Sequence, residues 1–400
     1  MTELRILVAD DQPEIARELL GGLDSKRFAI DYAVDGTTAL ERLRRGPVYD
    51  LVVVDMRMPP DTWGGLWLIE AMRTESINVP IIVFSGEAGQ SETIKALRLG
   101  ANDWVTKEQA REEIAERIDL QIERAARDSL AYPSSFLPTP IAEKVEHFTA
   151  SAALNNSPLD RGLAALTAVE TMWRLLALVN VASISSEETL KGVVPQQLLR
   201  PTMGIYLDLL KRSQQYTREH VDVQRLTSCM PLAHAQQIVS ERNRGVGHPI
   251  NVPELDASVV DIAEGHIATF VRRFSTNNVG FLGSARSMTF DSGSFQVSMH
   301  VYGASVVPAV HVLTPQPCNT EKIFWVGASA SVELWPWIVE DVCRDTENLS
   351  VFLFDGVKVK GKDLGSREAP FIYTGCSARN PLDGGGQLSD LMKLFESDQT

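Results

Sequence analysis

Five side chains give this sequence its readable chemistry: Asp10, Asp11, Asp55, Ser85 and Lys107. Each follows or closes a short apolar run: LRILVA before the acid pair, LVVV before Asp55, IIVF before Ser85 and DWVT before Lys107. If those runs are strands of one sheet, three carboxylates converge at one edge. Two unit charges about 4 Å apart repel by about 4 kcal/mol at an effective dielectric of 20, so a cation must compensate. A hard divalent ion such as Mg²⁺ does so, because it needs only one or two carboxylates beside waters and phosphate oxygens. A lysine and a hydroxyl aimed at the same place would hold further phosphate oxygens. The set suits phosphoryl transfer onto a carboxylate.

The elements that must hold these groups follow from the apolar pattern. Strands are expected over residues 4–9, 28–33, 50–55, 79–85 and 102–107, with helices over 14–20 and 37–43 between the first three. The third run is continuously β-branched, as a strand covered on both faces should be. Strands alternating with helices imply a parallel, doubly wound α/β sheet, whose ligands bind beyond the carboxyl ends of the strands. All five groups fall there.

This stretch, about residues 3 to 126, resembles the receiver domain of two-component response regulators, a five-stranded flavodoxin-like fold. The five positions stand in the family's order, and Asp55-Met56-Arg57-Met58-Pro59 fits its pattern after the acceptor. The resemblance implies Asp55 as the residue phosphorylated by a histidine kinase or phosphotransfer protein. It implies Asp10, Asp11, Asp55 and the main-chain carbonyl of Arg57 as Mg²⁺ ligands. Ser85 would be the switch hydroxyl, Trp104 the switch aromatic and Lys107 the phosphate-pairing lysine. Three departures stand out: Glu108 where the family has proline, a longer loop over residues 60–65, and a tryptophan where a smaller aromatic is common.

A helix is expected over residues 109–130, where Ile114, Ile118, Ile122 and Ala125 recur at near-helical spacing. Three prolines within residues 132–140 mark a non-helical join. The expected organisation is a receiver over 1–126, helix end and linker over 127–140, an all-α domain over 141–275 and a β-rich domain over 276–400.

The helical part resembles the HEPN superfamily (higher eukaryotes and prokaryotes nucleotide-binding). The carriers are Arg242-Asn243 followed by His248, together with Arg200-Pro201-Thr202-Met203-Gly204. The resemblance implies metal-independent RNA cleavage, with His248 as general acid/base and Arg242 stabilising charge on phosphorus, in a site completed by a homodimer. On an uninterrupted helix those two residues would lie about 240° apart. They converge only around a helix end, which Gly245 and Gly247 would supply. Two outputs are therefore open: an endoribonuclease using Arg242 and His248, or a docking and dimerisation module without chemistry.

In the last third the period becomes two. Phe295, Val297, Met299 and Val301 alternate with polar residues after a turn at residues 291–294. Asp355-Gly356, between two β-rich runs, reads as a second hairpin turn.

The chain of 400 residues carries 38 Lys+Arg against 52 Asp+Glu, a net charge of −14, which disfavours a broad DNA-binding surface. Residues 1–120 hold 22 acids and 14 bases, so a net −8 of that total sits in the first part. Residues 200–273 hold nine bases and eight acids, with no DNA-reading helix-turn-helix, so sequence-specific DNA binding is not expected. The four cysteines are too scattered for a zinc site or a disulfide scaffold. The N-terminus lacks a signal pattern and no apolar run nears a membrane span. The expectation is a cytoplasmic protein without a membrane partner.

Overall fold

The structure is a computed structural model. It describes residues 3–86, 90–153, 157–184, 190–217, 219–246, 255–314, 317–320, 322–343, 348–358, 369–375 and 382–395. The chain forms two compact units. The first joins Met1–Ser134 with the returning segments Ser228–Ala233 and Ala268–Val279; the second comprises Ser135–Thr227, His234–Ile267 and Gly280–Thr400.

In the first unit, β1 (Leu4–Ala9), α1 (Pro13–Leu20), β2 (Phe28–Ala33), α2 (Gly36–Arg45), β3 (Leu51–Asp55), α3 (Gly64–Thr74), β4 (Ile81–Ser85), α4 (Gln90–Leu99), β5 (Asp103–Thr106) and α5 (Ala110–Ala131) alternate as expected. The sheet is parallel, in the order β2-β1-β3-β4-β5, which is that of flavodoxin-like folds. Side chains alternate across it. Leu7, Val52, Val54 and Val83 pack with Ala39, Leu68 and Met72 on one face. Ile6, Val8, Val53 and Phe84 pack with Ala16, Ile114 and Ile118 on the other. All five residues of β3 are buried, so the β-branched run does mark a central strand. The Asp35 carboxylate caps α2 by accepting from the Thr38 N–H at 2.6 Å, and Arg42, Arg44 and Arg45 close that helix against its negative end.

The next helices along the chain are α6 (Thr139–Ala153), α7 (Pro158–Ala182), α8 (Pro195–Leu198), α9 (Met203–Ser213), α10 (Val221–Ser228), α11 (Ala235–Val246) and α12 (Ala257–Asn277). Thr139 and Pro140 already belong to α6, so the join expected to be non-helical through residue 140 ends earlier. Proline fits the first helical turn because it has no N–H to lose there. By length and composition α7 is apolar enough to cross a membrane. Of its most apolar window, 72% is buried within the protein, where Leu166, Trp173 and Leu176 form core.

The end of α12 belongs to the first unit. Asp50, directly before β3, is fully buried and receives both Arg272 Nη2 and Arg273 Nε at 2.7 Å. Arg273 Nη2 reaches its other oxygen, also at 2.7 Å. Asn277 accepts from the Tyr49 N–H at 3.0 Å and donates to the Tyr49 carbonyl at 2.9 Å, completing a two-way amide bridge.

Both antiparallel sheets lie in the second unit with the helices. One contains β6 (Phe281–Asp291), β7 (Ser294–Val301), β8 (Val310–Thr314), β9 (Ile323–Val326) and β10 (Ser331–Glu333) in the order β10-β9-β6-β7-β8. The other runs β11 (Ile338–Val342), β12 (Leu349–Val357), β13 (Pro370–Gly375) and β14 (Leu382–Gln387), followed by α13 (Leu388–Met392). The hairpin at Ser292-Gly293 forms as read, both residues having positive φ. The hairpin read at Asp355-Gly356 does not form. β12 runs straight through it with a register shift, and a Cβ on Gly356 would stand 2.5 Å from the Leu199 carbonyl oxygen. Glycine is there for close approach within a bulge, a need that shares its sequence signature with a turn.

Candidate phosphoacceptor site

Register brings the site together. Ala9 lies opposite Val54, so Asp10 and Asp55, one residue further along each strand, leave the sheet side by side. Ser85 ends β4 opposite Thr106, and Lys107 follows directly. Lys107 Nζ stands 2.9 Å from Asp10 Oδ2 and 2.9 Å from Asp55 Oδ1. The second oxygen of each acid accepts a main-chain N–H, Gln12 to Asp10 and Arg57 to Asp55, both at 2.8 Å. The two carboxylates are 1% and 5% exposed, so their pairing takes place largely out of water.

Burial pushes the Asp55 carboxyl up from its ordinary range. Lys107 opposes that rise, Asp10 adds to it, and the Arg57 N–H opposes it. Burial alone would lower Lys107, but its two carboxylates outweigh it and hold the ammonium above its usual value. Lys107 also lies over Phe84, with Nζ 5.5 Å from the ring centroid, a contact that β4 and β5 create together and that the motif did not signal.

The other predicted residues take distinct places. Asp11 is exposed beside Asp10. Arg57 is exposed, its guanidinium 5.3 Å from the Trp63 ring centroid. Trp104 is half-buried against the core face that contains Val83 and Leu68. Ser85 has a backbone position, and its side chain lies outside the described residues. Cis peptide bonds fall at Pro59–Pro60 and Trp335–Pro336, neither of them at Lys107–Glu108.

The long loop after Asp55 is a turn closed by the Gly64 N–H, which donates to the carbonyls of Met58 and Asp61 at 3.1 Å. A Cβ at Gly65 would stand 2.4 Å from the Asp55 carbonyl oxygen. The glycine therefore lets α3 begin directly against the strand that ends in Asp55.

Among the described residues no three His, Cys, Asp or Glu side chains are gathered as a metal-holding group. Asp10 and Asp55 supply a two-carboxylate, all-oxygen site in which the Lys107 ammonium stands as the cation. Two carboxylates suffice for Mg²⁺, and the residues present fit such an ion.

The receiver-family model, described as the response regulator receiver domain, matches residues 6–119. The chain is 31% identical over 123 residues to the transcriptional regulatory protein DltR of Streptococcus agalactiae, covering 31% of this chain and 54% of that one. It is 31% identical over 156 residues to the transcriptional regulatory protein QseB of Haemophilus influenzae, covering 39% of this chain and 67% of that one. The chain belongs to the response regulators. A solved Francisella response regulator 1452 receiver domain is 29% identical, with a TM-score of 0.28, covering 30% of this chain and 98% of that one. The match to DltR spans about half of that relative, so the likeness rests on the receiver.

Of the second residue pair singled out in this response regulator, Arg242 lies on α11. Its Nε and Nη2 donate to Glu170 of α7 at 3.2–3.4 Å. His248 lies outside the described residues, so no convergence of the two is described.

Proposed function

We propose that this response regulator is switched by phosphorylation of Asp55, with a histidine kinase or phosphotransfer protein as donor. The observation that carries the reading is the Lys107 ammonium shared between Asp10 and Asp55 at 2.9 Å each. An Asp55 oxygen attacks the phosphorus of a phosphohistidine, the P–N bond breaks, and the electron pair leaves with the imidazole. Lys107 exchanges part of its carboxylate pairing for the new phosphoryl oxygens, and Ser85 offers them its hydroxyl. The raised basicity of the buried Asp55 favours it as the nucleophile. Mg²⁺ held by Asp10, Asp11, Asp55 and the Arg57 carbonyl would neutralise charge on the transferring group. Asp11, though exposed, is adjacent to Asp10 and can reach such an ion through water.

The named relatives are transcriptional regulatory proteins. The near-neutral stretch over residues 200–273 supports a different output here, in which altered homodimer contacts or docking of the helical region transmit the signal. The test is intact-mass spectrometry after incubation with acetyl phosphate and Mg²⁺. One phosphoryl group should appear on the wild-type chain and none on Asp55→Asn. Labelling of Asp55→Asn to the same extent would overturn the assignment.

A further inference from the structure

Two sequence features left without a role, the stretch containing Pro201-Thr202 and Arg242, meet at one cavity of about 500 Å³ in the second unit. That volume falls within the roughly 300–1,000 Å³ typical of small-molecule sites. Its walls come from α6, α7, the start of α9, α11 and strands β12 and β13. Three cations line it, Lys144, Arg174 and Arg242, against two acids, Glu170 and Asp355, which leaves an excess of one positive charge.

The cations are held differently. Arg174 is fixed: Nε donates to the Phe354 carbonyl at 2.9 Å, Nη2 to the Leu353 carbonyl, and Nη1 to Thr374 Oγ1 at 2.6 Å. Its guanidinium also lies 5.6 Å from the ring centroid of the buried Tyr206, whose hydroxyl donates to the Phe354 carbonyl at 2.9 Å. With all three of its nitrogens engaged by the protein, this guanidinium fixes the wall around it and is not free to turn to a ligand. Arg242 is held loosely. Its contacts to Glu170, at 3.2–3.4 Å, exceed the roughly 2.7–2.9 Å of a good charge-assisted hydrogen bond. Its Nη1 makes no hydrogen bond among the described residues. Exchanging Glu170 for a better acceptor would therefore be easy.

Thr202, which also lines the cavity, is the N-cap of the eleven-residue α9, and its side chain makes no capping bond. The first-turn N–H groups of a helix lack intrahelical partners and favour negative charge. The acids narrow the choice of ligand further. A simple carboxylate would face Glu170 and Asp355 with nothing to donate to them. A phosphorylated sugar brings acceptors for the cations and hydroxyl donors for the acids.

We propose that this cavity binds a small phosphate monoester with a hydroxyl-bearing body, such as a sugar phosphate or a mononucleotide. Arg242, Lys144 and the start of α9 take the phosphate, and Glu170 and Asp355 accept from the hydroxyls. Arg174 is a positioning residue that holds Asp355 and the floor of the cavity.

Isothermal titration of the full chain with ribose 5-phosphate and AMP, beside ribose and adenosine, tests this. At least one phosphate probe should bind in the micromolar range, and its dephosphorylated counterpart at least about tenfold more weakly. Arg242→Gln and the partly exposed Lys144→Gln should each weaken binding by about tenfold or more with an unchanged melting temperature. The proposal fails if neither phosphate probe saturates at millimolar concentration, or if both folded variants bind as tightly as wild type. A third arm uses a ten-nucleotide RNA without terminal phosphate. Binding of that RNA alone, lost in both variants, would also overturn the small-molecule assignment in favour of RNA backbone.

Discussion

Lys107 decides the electrostatics of the receiver site, because it is the cation shared by two buried carboxylates. Removing one partner of a buried charge cluster leaves the others desolvated without compensation, and such losses run to about 3–5 kcal/mol. Lys107 keeps 20% of its side chain exposed, so solvent recovers part of that loss. Lys107→Met should therefore destabilise the receiver by about 2–3 kcal/mol in metal-free buffer. Mg²⁺ should restore more stability to the variant than it adds to wild type, because the carboxylates it meets are no longer neutralised. Urea unfolding with and without Mg²⁺ measures both differences. A variant as stable as wild type without metal would show that the pairing contributes nothing net. The meeting of Asp10, Asp55 and Lys107 was legible in the sequence: each ends or follows an apolar run, and parallel strands bring such ends to one edge. The Phe84 contact and the close approach of Gly65 were not, since both depend on which strand and helix become neighbours.

At the scale of elements, spacing located the five receiver strands and helices α1, α2 and α5 to within a few residues but could not show where α12 ends its course. Arg272, Arg273 and Asn277 have ordinary helical neighbours, and nothing near them in sequence names Asp50 and Tyr49 as partners. Only the fold brings them together, and it does so directly before the strand that carries Asp55. Asp50 also accepts the Arg5 N–H at 2.7 Å, so the cluster ties β1, β3 and the end of α12 at the strand end away from Asp55. The misread Asp355-Gly356 shows the converse limit, because a local glycine signal does not say whether it serves a turn or a neighbour's backbone. If the α12 end is part of the receiver's structure, Arg273→Met should cost about 3–5 kcal/mol, as expected for a broken buried ion cluster. Amide hydrogen exchange should then accelerate across β1 and β3. Exchange unchanged in those strands would mean that α12 is not needed to hold them.

For the whole molecule, the same cluster sets the response to acid. Burial by itself would raise the Asp50 carboxyl, but Arg272 and Arg273, helped by the Arg5 N–H, overcome it and hold the group far below the usual carboxylate range. In the unfolded chain Asp50 titrates at an ordinary value of about 3.9. Below that pH the unfolded state binds a proton that the folded state refuses, so stability falls as pH falls. Above it the contribution is fully present. Global charge acts in the opposite direction at first: the net −14 at pH 7 shrinks to zero near the pI of about 5.1, which relieves self-repulsion. Stability should therefore change little between pH 7 and 5 and decline steeply below about pH 4. Asp50→Asn should be several kcal/mol less stable than wild type at pH 7, of the order expected when one member of a buried ion cluster is neutralised. That gap should narrow as pH falls below about 4, because only the wild type still has this linkage to lose. Denaturant unfolding of both proteins from pH 7 to pH 3 measures the gap directly. If it stays constant across that range, the acid response arises elsewhere in the 52 carboxylates of the chain.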